Sequence, residues 1–246
     1  MASGDWIEGP CYWLSIYPQG STEWLQLRDK HPTDPSIKLI TGSRAGCAAG
    51  LSRFKTPERY AYEMITGKSE ILDQVAKDRM ALGNLNEPVL RRAYESLYKV
   101  KVKEVGLAIS KLDSGLGASP DGLVGEDGLV EFKYSRCISD GLRQEALMRN
   151  FDSNYLPPAG GKHIYPEYYS QMQMQMFIFG RKWCDFVVYG YEAGELYTER
   201  VYFDPTFWNQ VLYPGLCRFR SVVIPQVRAD LPRYEAEFAK YYGGSV

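Results

Sequence analysis

The chain is poor in the residues that announce transition-metal, redox or disulfide chemistry. It has two histidines, His31 and His163, far apart, which argues against a histidine-rich zinc site. Its five cysteines, Cys11, Cys47, Cys137, Cys184 and Cys217, are scattered, and none forms a Cys-x-x-Cys pair. In 246 residues that pattern speaks against a disulfide framework and for a reducing, intracellular compartment. No apolar run approaches the length of a membrane span, and no basic segment followed by an apolar one suggests a secretory signal, so a soluble protein without a membrane partner is expected. The formal net charge of −1 means that global electrostatics advertises no polyanionic partner, although a local basic groove stays compatible with it. Familiar catalytic signatures are missing too. No Gly-x-Ser-x-Gly elbow exists, Thr66-Gly-Lys-Ser69 follows Tyr62 where a phosphate loop requires glycine, and Gly115-Leu-Gly117 lacks the third glycine of a dinucleotide fingerprint.

What is present is an ordinary globular balance, 45% hydrophobic and 24% charged, which excludes intrinsic disorder. One domain over 1–246 is expected, with 1–20 an N-terminal extension and 204–246 a C-terminal helical segment. Ser21 or Thr22 caps a helix over 21–28, and small residues from Gly42 to Gly50 suit a closely packed second helix. Thr56-Pro57 opens a third helix that closes at Gly67. A long helical region covers 71–98, where Glu87, Arg91 and Tyr94 share a face if the helix runs through Pro88. Alternating, β-branched stretches predict strands over 98–105 and 129–134, and the Pro- and Gly-rich segment 150–166 reads as a loop. A helix over 167–179, a hairpin over 183–203 and a helix begun by Asp204-Pro205 complete the chain. This order predicts an α/β fold, a mixed central β-sheet flanked by helices.

The chemistry concentrates in Ser119-Pro-Asp-Gly122 and Glu131-Phe-Lys133. The first predicts a type I turn. On a strand, Leu129, Glu131 and Lys133 face one way, and Val130 and Phe132 the other. Asp121 held against that strand would bring two carboxylates and an ammonium together. Such a pair chelates a hard cation such as Mg²⁺, and Lys133 beside it would orient water or offset charge developing on a phosphoryl group. A surface hairpin with Glu131 and Lys133 in solvent satisfies the same spacing equally well. Tyr155, Tyr165, Tyr168 and Tyr169 are open to two readings as well, base stacking or packing.

Neighbouring motifs add a resemblance. Ala118-Ser-Pro-Asp-Gly-Leu-Val124 with Glu131-Phe-Lys133 resembles the Pro-Asp…(Asp/Glu)-x-Lys nuclease superfamily. Trp24-Leu-Gln-Leu-Arg28, Ile40-Thr-Gly-Ser43, Gly50-Leu-Ser-Arg-Phe-Lys-Thr-Pro57, Gly83-Asn-Leu-Asn-Glu-Pro88 and Tyr168-Tyr-Ser-Gln-Met-Gln173, in that order, are similar to elements of the phage-lambda-type (YqaJ-like viral recombinase) exonucleases. The match spans roughly 22–190. It implies a restriction-endonuclease-like core and a Mg²⁺-dependent 5′-to-3′ exodeoxyribonuclease, with Mn²⁺ able to substitute. Asp121, Glu131 and the Phe132 carbonyl would hold the metal, with Glu87 beside it directly or through water. Lys133 would be the catalytic lysine, and Gln171 would line the site, with Gln173 less easily on that face. Arg28, Ser43 and Ser119 would grip the 5′-phosphate of double-stranded DNA ends, with Arg136 and Arg143 as further phosphate candidates. The eleven residues from Asp29 to Leu39 exceed the compact family spacing at that pocket. The resemblance further implies a role in recombination or viral genome processing, beside a single-strand annealing protein, in a cell's cytoplasm or an infected nucleus. A homotrimeric ring or a monomer, an endonuclease on DNA or RNA, and an inactive DNA-binding module all remain open.

Overall fold

A computed structural model of the chain describes residues 4–29, 38–138 and 164–243. Arg143, Tyr155, both histidines, most of the 29–39 insertion and nearly all of the expected 150–166 loop lie outside the described residues.

The architecture is mixed α/β, as the order of elements predicts, and among the described residues the strands divide between two five-stranded sheets. The first joins β1 (Trp6–Glu8), β2 (Tyr12–Ser15), β5 (Ala108–Ser110), β6 (Leu116–Ala118) and β3 (Ile40–Thr41) in that spatial order. The second joins β10 (Glu195–Tyr202), β9 (Trp183–Gly190), β8 (Gly128–Ser135), β7 (Gly122–Val124) and β4 (Val102–Lys103). Strands β1 and β2 were not expected. They are short, and pairing creates them, β2 lying antiparallel to β5 through Trp13 and Ile109. The strand expected over 98–105 contracts to β4.

Helix α1 (Thr22–Asp29) begins where Ser21 Oγ accepts the Trp24 N–H at 3.2 Å. Helix α2 (Gly42–Ala48) packs against α5 (Pro166–Phe179), and a Cβ on Gly46 would stand 2.7 Å from Glu167 Cα, so only glycine fits there. Helix α3 (Pro57–Thr66) carries both expected caps, Thr56 accepting the Arg59 N–H at 3.2 Å and Gly67 at φ 70°. Helix α4 (Gln74–Tyr98) runs unbroken through Pro88. The carbonyl that Pro88 cannot reach belongs to exposed Asn84, where water can take it.

Helix α5 is almost wholly buried and crosses both sheets, touching β5, β6 and β9. The main core lies around it, while a smaller cluster of Leu90, Tyr94, Val130, Phe132 and Val187 fixes α4 on the second sheet. Beyond β10, Asp204 caps helical segments running to Tyr242, its Oδ1 accepting the N–H groups of Thr206 and Phe207 at 3.0 Å each. Among the described residues no helix is long and apolar enough to cross a membrane.

Candidate active site

Ser119, Pro120 and Asp121 carry the chain from β6 in one sheet to β7 in the other. The chain bends at Asp121, and two side chains from before β3 hold the crossing. Gln19 Nε2 donates to the Pro120 carbonyl at 2.7 Å, and Trp24 Nε1 to Ser119 Oγ at 3.0 Å. The bend sets Asp121 beside β8, where its Oδ2 accepts the Phe132 N–H at 2.6 Å.

Strand alternation then sorts β8 as expected. Val130 and Phe132 pack beneath α4, while Leu129 and Glu131 face α5. Glu131 is 2% exposed, which disposes of the surface-hairpin reading. Its Oε1 accepts from Lys133 Nζ at 2.7 Å and Gln171 Nε2 at 2.6 Å, and its Oε2 from Gln175 Nε2 at 2.8 Å. Asp121, Glu131, Phe132 and Lys133 line a cavity of about 330 Å³ with Glu87, Asn84, Gly83 and Met80 of α4. The uninterrupted α4 is what brings Glu87 there, and Arg91 holds it at 2.7 Å from the next turn. Lower on the helix, Tyr94 donates to Asp185 Oδ2 at 2.6 Å, and Arg200 grips the same buried carboxylate at 2.7 and 2.9 Å.

Charge is concentrated here. Burial, then the Glu131 carboxylate, then Glu87, push Asp121 well above the usual carboxylate range, against the opposing pull of Lys133. Burial also raises Glu87, with Arg91 opposing and Glu131 adding to the shift. Burial would lower Lys133, but Glu131 and Asp121 outweigh it and hold the ammonium above its ordinary value. That cation sits 5.0 Å over the Tyr168 ring. Among the described residues no three His, Cys, Asp or Glu side chains enclose an ion-sized point. The donor set nonetheless suits a hard divalent cation. It is made of carboxylate oxygens that repel one another, with no thiolate or imidazole, beside a cavity roomy enough for waters and a phosphate.

A second cavity of about 140 Å³ is lined by Arg28, Ser43, Ser119, Trp24, Gln171 and Gln175. The three residues assigned to the 5′-phosphate thus stand together. Arg28 lies 4.4 Å over the Trp24 ring and 3.4 Å from Ser43 Oγ. Gln173 faces away, donating to the Tyr202 carbonyl at 2.9 Å and accepting the Asp204 N–H at 2.8 Å. Arg136 stands 3.9 Å from Glu192, and Tyr165 and Tyr169 are buried in packing. Sequence reasoning missed Gln175, although its i+4 spacing from Gln171 was a signal for it.

Comparison with known proteins gives consistent matches. The model of the YqaJ-like viral recombinase domain matches residues 23–182. No curated protein matches the chain. An alkaline exonuclease (LHK-Exo) from Laribacter hongkongensis is similar with a TM-score of 0.58 and 27% identity, over 89% of this chain and 100% of that one. LHK-Exo in complex with dAMP gives 0.55 and 27%, over 89% and 99%. A phage related exonuclease from Haemophilus somnus 129PT gives 0.55 at 12% identity, over 79% and 97%, a likeness of fold alone.

Proposed function

Because the chain belongs to the YqaJ-like viral recombinase family, we propose that it is a metal-dependent exodeoxyribonuclease that digests one strand of linear duplex DNA 5′ to 3′ from a phosphorylated end. One observation carries this reading. The amides of Gln171 and Gln175 hydrogen-bond Glu131 of the buried carboxylate–lysine cluster, and the same two side chains line the arginine–serine cavity. A phosphate seated beside Arg28 would set the scissile linkage near Asp121 and Glu131.

Asp121, Glu131 and the Phe132 carbonyl would hold Mg²⁺ or Mn²⁺, with Glu87 joining directly or through water. The cation supplies charge neutralisation and a water of lowered pKa. The chain's own residues do the remaining work. Lys133, 2.7 Å from Glu131, presents an ammonium that would donate hydrogen bonds toward the phosphoryl oxygens. Gln171 acts on Glu131, to which its amide N–H is committed. Arg28 offers a planar guanidinium for bidentate contact with a terminal phosphate, and Ser43 and Ser119 add hydroxyl donors. The mononucleotides and 3′ single strand so produced would suit an annealing protein in recombination.

The deciding experiment is digestion of linear duplex with 5′-phosphate or 5′-hydroxyl ends, with and without Mg²⁺, beside closed circles and RNA. Mg²⁺-dependent release of mononucleotides, faster from phosphorylated ends, is expected. Rapid cutting of closed circles or of RNA would replace the reading with an endonuclease.

A further inference from the structure

Gln175 is 1% exposed and lies one helical turn after Gln171 on α5. Together the two amides hold both oxygens of Glu131, at 2.6 and 2.8 Å. The carboxylate fixes which way Gln175 is turned, since reversal would set its carbonyl oxygen against Glu131. In that orientation Gln175 Oε1 is buried with no hydrogen-bond partner among the described residues, which disfavours folding. An apolar side chain, like those of Met172, Met174 and Met176 around it, would fill the space without that cost. The amide therefore serves Glu131.

The same two glutamines line the cavity of Arg28, Ser43 and Ser119. Their stems rest on the first residue of α2. A Cβ on Gly42 would lie 3.6 Å from Gln175 Cγ and 3.8 Å from Gln171 Cγ, and Ser43 follows directly. A group entering that cavity would meet the side chains that hold Glu131.

We infer that Gln175 is a positioning residue for Glu131 and that, with Gln171, it couples the two cavities, so that a phosphate beside Arg28 strengthens cation binding at the carboxylates. This rests on the reading of the Arg28 cavity as the site for a terminal 5′-phosphate. The test titrates Mn²⁺ by calorimetry into the full chain bound to a blunt duplex ending in 5′-phosphate or 5′-hydroxyl, its terminal linkages methylphosphonate to prevent turnover. Mn²⁺ should bind at least about 5-fold tighter with the phosphate end, the low end of coupling between sites. By reciprocity, Mn²⁺ should raise the preference for the phosphorylated duplex, read by fluorescence anisotropy, by the same factor.

Gln175→Met keeps the volume and removes the amide. It should weaken Mn²⁺ binding to the DNA-free protein and erase the difference between ends. Equal Mn²⁺ affinity at both ends of the wild-type complex overturns the coupling. Unchanged Mn²⁺ binding by Gln175→Met overturns the positioning role. If that variant does not fold, Gln175→Asn, whose amide falls one methylene short of Glu131, takes its place in the Mn²⁺ titration, and the wild-type comparison still decides the coupling. Metal-free wild type that ignores the 5′ group would sink the phosphate-pocket reading, and the inference with it.

Discussion

Asp121 illustrates what the proposed hydrolytic site costs a fold. Burial and two neighbouring carboxylates raise its proton affinity above that of the unfolded chain. With the folded pKa above the unfolded value, the stability it lends is complete below about 4, the ordinary carboxylate range, and is lost as pH rises through the folded pKa. Glu87 has the same sign. Asp121→Asn keeps an acceptor for the Phe132 N–H and drops the charge. Without metal it should melt above wild type, by a margin that grows with pH across that window, while nuclease activity falls to background. Equal melting curves at pH 8 would count against the electrostatic account. Lys133→Gln removes the cation that offsets Glu131 and, in the proposed reaction, would face the phosphoryl group. A fall of about 10²–10³-fold in kcat, with KM little changed, is expected from steady-state digestion, the size seen when one transition-state donor is lost.

At the scale of elements, α4 delivers Glu87 but buries little of itself, chiefly Leu90 and Tyr94. Its anchor is the Tyr94–Asp185–Arg200 cluster on β9 and β10. Tyr94→Phe should lower the unfolding free energy by about 1.5–3 kcal/mol in urea denaturation, as for a hydrogen bond to a charged group. Gly46→Ala forces α2 off α5, and overpacking of that kind costs about 1–3 kcal/mol, readable in the same measurement. How much of each element could be read from sequence depended on how local its causes are. Helix α3 was complete in the chain, because Thr56, Pro57 and Gly67 act on their own backbone neighbours. The continuity of α4 through Pro88 was not, since it rests on tertiary docking by Tyr94 and on solvent at Asn84. Strands β1 and β2 escaped because three- and four-residue strands take their identity from their partners.

For the whole molecule the decisive feature is the crossing of Ser119, Pro120 and Asp121 between two sheets, with α5 spanning both. It puts one residue of a tripeptide in each cavity, Ser119 beside Arg28 and Asp121 beside Glu131. Recognition of an end and cleavage should therefore separate by mutation. Arg28→Ala should abolish the preference for 5′-phosphate over 5′-hydroxyl ends in kcat/KM on linear duplex. Divalent-cation affinity of the DNA-free protein should be unchanged, because the guanidinium does not line the carboxylate cavity. The convergence of Asp121, Glu131 and Lys133 was readable beforehand, because strand alternation is a property of the backbone and the turn at Pro120 lies next to the strand. So were the caps, the amphipathic order and the ordered family motifs. Only the tertiary structure decided that Glu131 is buried, that Gln175 rather than Gln173 joins Gln171 on it, and that those two glutamines also line the cavity of Arg28. Burial, amide orientation and cavity lining arise from contacts between segments far apart in sequence, which no local pattern encodes.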